Sequence, residues 1–276
     1  MNIILFDDQF RKNLLPLTFT RPVSNLRVGI LTIAEKWQRC FEARISYLTQ
    51  DYLQEKFPVH FSEQNLFING SICPDEGLLS AIDKLSNAEA LFYKNGLIAI
   101  KLDRADAQEF CINNLQQYSK SEYFKSFTKL SFPEDIFKQN DLELRKDFER
   151  LTKGRTSAKL SLTNTLLGNH IFVEEGVEAE CSTFNTLQGP IYLGKNSQVW
   201  EGCHIRGSFA LCKNSQVKMG AKIYGMTTIG PFSRVGGEIN NSVIIGYSSK
   251  GHEGYLGNSV LGEWCNIGAD SNNSNL

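Results

Sequence analysis

The chain has 276 residues, a formal net charge of -1 and 41% hydrophobic residues, enough length for two domains that each bury a core. Its 29 Lys and Arg against 30 Asp and Glu form no basic run dense enough for a nucleic-acid groove or an anionic membrane surface, which points to small-molecule partners. Seven cysteines, at 40, 73, 111, 181, 203, 212 and 265, show no CxxC and no paired spacing, which argues against a disulfide framework or a zinc knuckle.

The N-terminus opens on a strand, 3–6, interrupted by Asp7-Asp8. It is too short and too acidic for a signal peptide or membrane span, so the protein is expected in the cytosol. Further strands are predicted at 45–48, 65–69 and 90–93, and a tight Asn95-Gly96 turn leads into another at 97–102. Helices are read over 28–42, 51–56 and 74–85, the last with Pro74 near its first turn, where a missing N–H costs little. This alternation favours a Rossmann-like α/β layer with a parallel sheet over residues 1–155. The charged stretch 133–153, carrying Phe137, Leu142, Leu144 and Phe148, reads as a helical connector, with the domain boundary near 155–165.

Beyond it, an aliphatic residue returns at every sixth position: Leu193, Val199, Ile205, Leu211, Val217, Ile223, Ile229 and Val235. Four residues after each of the first seven stand Ser197, Cys203, Phe209, Ser215, Ala221, Thr227 and Ser233, all small but one. A strict period of six fits neither helix nor ordinary hairpin. Each hexad supplies one short strand with its aliphatic inward and a small residue in the corner, so three hexads close a triangular coil and coils stack. The pattern resembles the hexapeptide-repeat acyltransferases, which implies a left-handed parallel β-helix over 156–276.

The frame breaks at 236–254 and resumes at Tyr255, Leu261 and Ile267. The break reads as an insertion, a loop pushed out of one face that carries a binding site. The chain ends at Asn272-Asn273-Ser274-Asn275-Leu276, midway through a hexad, and reads as a fragment whose β-helix continues further.

Within and after the break stand Gly251-His252-Glu253-Gly254-Tyr255-Leu256-Gly257 and Cys265-Asn266-Ile267-Gly268-Ala269. These resemble the acetyltransferase half of GlmU-type bifunctional enzymes, where GH-x-x-YLGD precedes NIGAG. The resemblance implies that His252 is the general base that takes a proton from a sugar amine as it attacks acetyl-CoA. That assignment suits imidazole, which titrates near neutrality. It also implies that Tyr255 and Asn266 position the amino sugar or its phosphate, and that Gly268 and Ala269 meet the acyl donor. The chain departs from the family at Asp270, where NIGAG has Gly, and at Asn240-Asn241, where a lysine is expected.

Near the N-terminus, Leu14-Leu15-Pro16-Leu17-Thr18-Phe19-Thr20-Arg21-Pro22 through Gly29 resembles the opening of sugar-1-phosphate nucleotidyltransferases. There a Gly-rich loop cradles the triphosphate and a lysine after the TRP motif neutralises it. Here Phe6-Asp7-Asp8-Gln9-Phe10 replaces that loop, Val23 replaces the lysine, and Asn69 stands where the family's magnesium-binding Asp is expected. Two alternatives follow. The domain is a divergent transferase using Arg21, Arg27 and Lys36 for phosphate and Asp7 or Asp8 for Mg2+, because an arginine fork binds phosphate well. Or it is a non-catalytic relative that binds a sugar nucleotide as a sensor or scaffold. The whole chain resembles variant GlmU-like proteins, which implies a homotrimer acting on a sugar phosphate, a nucleotide and acetyl-CoA.

Overall fold

The structure, a computed structural model, describes every residue except 1, 113, 274 and 276. It divides into two compact units, Met1–Leu26 with Leu31–Pro133, and Arg27–Ile30 with Glu134–Leu276. The division falls some twenty residues before the expected 155–165, because the charged helix packs as part of the second unit.

In the first unit, β1 (Asn2–Phe6), β2 (Ile45–Leu48), β3 (Gln64–Asn69), β4 (Glu89–Tyr93), β5 (Gly96–Asp103) and β6 (Ser119–Glu122) form one sheet in the order β2-β1-β3-β5-β4-β6. β1 pairs parallel with β2 and β3, whereas β5 runs antiparallel to β3 and β4. The sheet is therefore mixed, and the Asn95-Gly96 turn closes the β4–β5 hairpin as expected. Edge strand β6 escapes sequence reading because Ser-Lys-Ser-Glu has no apolar alternation. Ile4, Phe6, Phe67 and Ile100 build the core on one face.

Of the helices, α1 covers Ile33–Phe41, α2 Glu76–Asp83 and α3 Arg104–Gln108. α1 begins five residues after the predicted 28. The Thr32 hydroxyl accepts from Glu35 N–H while the Glu35 carboxylate accepts from Thr32 N–H, a reciprocal cap, and Arg27–Ile30 before it is drawn into the second unit. The predicted helix at 51–56 is a single 3-10 turn, Asp51–Leu53.

The second unit consists of α4 (Pro133–Thr152, from Glu134 onward), the Arg27–Ile30 strap and a left-handed parallel β-helix of about six coils. Its strands start at Thr165, one coil side earlier than the irregular beginning expected near 171. Every coil stacks in register, and the hexad aliphatics meet inside: Leu193, Val199, Ile205, Leu211, Val217, Ile223, Ile229 and Val235 share one core. Phe209, the large residue among the corner positions, is fully buried in that core. The small corner residues form a hydrogen-bonded ladder, with the Ser215, Ser233 and Ser248 hydroxyls each accepting a backbone N–H from the next coil at 2.9–3.2 Å.

The frame break is not an insertion. Val217 pairs with Val235, eighteen residues on, but Val235 pairs with Lys250, only fifteen on, and Ser249 bridges to Asn266, seventeen on. The coil is closed by shorter corners while its strands, Glu238–Asn240, Val243–Gly246 and Ser249–Lys250, stay in their three sheets. Hexad counting misreads such a coil because strand pairing, not residue number, sets the repeat. Residues 251–254 form a four-residue corner, equal in length to the corners 200–203 and 218–221, and bulge over the shortened corner Gly236-Gly237 of the coil before.

One outer face of the solenoid is buried. Tyr192, Ala210, Thr228 and Val243, which point away from the bore, are all at most 9% exposed. α4 and the strap account for this: Asn140 of α4 donates to Met226 C=O at 2.9 Å and accepts from Gly29 N–H at 2.8 Å. Gly29 is obligatory, since it lies at φ 76° and a Cβ there would meet the Glu143 backbone at 2.7 Å.

Where the chain enters the first coils, Arg155 holds the Glu174 carboxylate with two bonds of 2.8 and 2.7 Å and the Tyr192 hydroxyl donates to it at 2.7 Å. Burial alone would raise the Glu174 carboxyl, yet these bonds hold it below its ordinary range. A lowered carboxyl contributes stability that is present above its unfolded value and lost as pH falls through its folded value. Glu174→Gln is therefore expected to lose about 1–2 kcal/mol near pH 7, discounted for the exposed Arg155. That deficit should shrink as denaturant titrations are moved below the ordinary glutamate value of 4.5. A deficit independent of pH would show that the charge does not matter.

Candidate functional site

In the first unit the chain leaves β1 for β2 on one side and later returns to β3 on the other, both parallel to β1. The carboxyl ends of β1 and β3 thus flank the point where strand order reverses, the usual place for a ligand crevice in such sheets. Asp7 and Asp8 follow β1, and Asn69 ends β3. The Asn69 amide donates to Asp8 Oδ2 at 2.9 Å, and so does the Lys129 ammonium at 2.9 Å, which also lies over the Phe10 ring. Asp8 Oδ1 accepts from Phe10 N–H at 2.9 Å. Asp7 is more enclosed, accepting from Val23 N–H at 2.9 Å and the Thr49 hydroxyl at 2.5 Å, with Arg11 at 3.3 Å. Burial pushes its carboxyl up, against the lowering effect of these partners. Arg11 is itself buried and braced by the Tyr52 hydroxyl at 2.8 Å.

Compared with known families, residues 3–156 match the family described as sugar nucleotidyl transferase, more than half of the chain. The chain belongs to the sugar nucleotidyl transferase family. No curated protein matches it significantly. The match runs through α4, so the family's sequence unit and the packing unit end at different places.

The structure distributes the family member's expected phosphate ligands widely. Arg21, the arginine of the TRP motif, is half-buried, its guanidinium 3.4 Å from the Thr20 hydroxyl. Lys36 lies on α1 with no exposed surface. Arg27 belongs to the second unit, where its guanidinium donates to Ile245 C=O at 3.1 Å and to Ile30 C=O. Lys129, which sequence reasoning missed, joins Asp8 from 121 residues away, and no local motif could have announced it. Asp7 and Asp8 both hold protein donors, and among the described residues no group of three His, Cys, Asp or Glu stands together in a way that could bind a metal. Nor is any helix among those residues long and apolar enough to cross a membrane.

In the second unit, His252 stands on the exposed bulge Gly251–Gly254, and its imidazole has no hydrogen-bond partner among the described residues. Asp270 N–H donates to Glu253 C=O at 3.0 Å, which sets the exposed Gly268-Ala269 turn against the His252 bulge. Tyr255 follows on the adjoining strand, its backbone N–H held by the Asn272 side chain at 2.7 Å. His252, Tyr255, Gly268 and Ala269 therefore share one corner of the solenoid. Asn266 lies on the next sheet, bridged to Ser249, in a shallow cleft of about 300 Å³ lined by Phe232, Arg234, Tyr247 and Trp264. Those three rings stack face to face at 5.0 and 4.9 Å. Lys218, on the same side of the solenoid, sits 3.7 Å from the Trp200 ring centre, and burial followed by the charge of Arg234 lowers its ammonium.

Proposed function

We propose that the first unit transfers a nucleotidyl group from UTP or a related triphosphate to a sugar-1-phosphate, and that the β-helix N-acetylates glucosamine-1-phosphate from acetyl-CoA in a homotrimer. The observation that carries the first half is the Asp8–Asn69–Lys129 cluster at the strand-order reversal of a domain belonging to the sugar nucleotidyl transferase family. A phosphate oxygen of the sugar attacks the α-phosphorus and pyrophosphate leaves, a reaction driven chiefly by positioning and charge neutralisation. Lys129 supplies the cation that the family places where Val23 stands, and Arg21 adds a guanidinium from the TRP loop. Mg2+ takes one or two carboxylates and completes its shell with phosphate and water. Asp8, the more open of the two, would hold it only by releasing a donor, Asn69 or Lys129, from its Oδ2; Asp7, enclosed by Val23, Thr49 and Arg11, would not. The ion bound there would neutralise phosphate charge.

In the β-helix the amine attacks the thioester carbonyl, His252 accepts the amine proton, and the coenzyme thiolate departs. Tyr255 and Asn266 hold the sugar phosphate, and Gly268-Ala269 lie along the acyl donor.

The test is pyrophosphate release from UTP with glucosamine-1-phosphate and N-acetylglucosamine-1-phosphate, beside calorimetric titration with MgUTP. Lys129→Met and Arg21→Ala are each expected to weaken binding about tenfold or more, the scale of a lost charge-assisted phosphate bond. Absence of both binding and turnover in the unmodified chain would overturn the assignment. It would favour the scaffold alternative, to which the saturated Asp7 also lends support.

A further inference from the structure

In the third solenoid sheet three successive coils place a valine in the same inward slot, Val199, Val217 and Val235, paired in register. The fourth coil places Lys250 there, opposite Val235, and its side chain is 1% exposed. An ammonium in a slot where valine serves is a net cost unless it is partnered. Its partner is specific: Nζ donates to the His252 carbonyl at 2.6 Å. The titratable groups facing it are Glu253 and Asp270, which favour its charged form, but burial outweighs them and holds the amine below its ordinary range.

The bulge that carries His252 is fixed on both flanks by the strand ladder. Gly236 N–H donates to Lys250 C=O at 2.7 Å, and Glu238 N–H donates to Gly254 C=O at 3.2 Å. Between these anchors the only hydrogen bond to His252 among the described residues is the one from Lys250. Without it, the His252 carbonyl has no hydrogen-bond donor among the described residues, and the segment is held between its anchors only by the bond from Asp270 N–H to Glu253 C=O, with a flexible glycine on its N-terminal side.

We infer that Lys250 is a positioning residue: its ammonium, anchored inside the solenoid, fixes the His252 peptide and so the direction in which the exposed imidazole is presented. The inference rests on the acetyl-transfer role given to His252 above. Lys250 reaches no substrate from inside the bore, so its removal should act on turnover and not on binding. A misdirected base costs rate steeply, because proton transfer needs hydrogen-bond geometry at the moment of attack.

The decisive variant is Lys250→Val in the full chain, which extends the valine row by one coil. It is expected to fold with a Tm at or above that of the parent near pH 7. The parent's penalty is full while the lysine is charged in both folded and unfolded states, and vanishes above the ordinary value of 10.5, so the gap should narrow as pH is raised toward that value. With acetyl-CoA and glucosamine-1-phosphate, kcat should fall about 10- to 100-fold with KM unchanged. In NMR spectra the His252 ring and amide signals should lose their dispersion. Unchanged kcat with an ordered His252 signal would overturn the inference. If the parent chain shows no acetyl transfer, the role given to His252 fails, while the His252 signals in parent and variant still decide whether Lys250 orders the bulge. Should Lys250→Val fail to fold, Lys250→Met, which keeps the aliphatic stem, is read by the same measurements.

Discussion

His252→Ala is expected to lower acetyl transfer from acetyl-CoA to glucosamine-1-phosphate by about 10²- to 10⁴-fold, the range for loss of a positioned general base. The amine must shed a proton as it attacks, and no other imidazole stands at this corner. His204 projects from the strand His204–Arg206, and His170 lies edge-on to the Phe148 ring. The fold should be indifferent to the change. His252 is exposed and its side chain bonds to nothing among the described residues, so stability should stay within about 0.5 kcal/mol. Rate and unfolding curves must therefore separate. Activity retained within a few-fold would remove His252 from the mechanism, and a parallel loss of stability would mean that the bulge is structural.

Asn140→Leu is expected to destabilise the second unit by about 2–9 kcal/mol, summing two or three buried groups left unsatisfied at about 1–3 kcal/mol each. Leucine keeps the branching of asparagine but is bulkier, so some overpacking adds to the loss of the hydrogen bonds. Asn140 has no exposed surface and joins three pieces of chain at once. It accepts from Gly29 N–H at 2.8 Å, donates to Met226 C=O at 2.9 Å, and shares a bond with the Thr228 hydroxyl at 3.1 Å. Leucine can satisfy none of them. Ala210, on the same buried face but without a polar side chain, offers the contrast: Ala210→Gly should cost only about 1 kcal/mol. Urea unfolding of both variants measures the difference, and a cost below about 1 kcal/mol for Asn140→Leu would show that water or the strap replaces the lost bonds.

Much of the fold is legible because it is written in local periodicity. The hexad aliphatics have to point inward together, and the strands at 3–6, 45–48, 65–69 and 90–93 have to be buried, whatever their neighbours. The corner serines are readable for the same reason, since a small side chain is required wherever the coil turns. The fifteen-residue coil is not legible, because a shortened corner and an inserted loop disturb a six-residue count in the same way. Lys250 is hidden by that ambiguity: without the pairing to Val235, nothing distinguishes it from a solvent-exposed lysine.

The candidate sites divide along the same line. His252, Tyr255, Gly268 and Ala269 lie within eighteen residues of one another, so a motif gathers them through close spacing alone. Arg27 illustrates the opposite case, a residue inside a phosphate-site resemblance that packing draws to the Ile245 carbonyl. Lys129 and Asn69 meet Asp8 across 121 and 61 residues. By itself, then, the sequence determined the two architectures and the short-range grouping of His252 with Tyr255, Gly268 and Ala269, because periodicity and adjacent spacing are properties of a local chain. Tertiary structure alone decided which cation reaches Asp8, which helix covers the solenoid and which lysine enters its bore, because these depend on where distant segments cross, and burial fixes that only when the whole chain has closed.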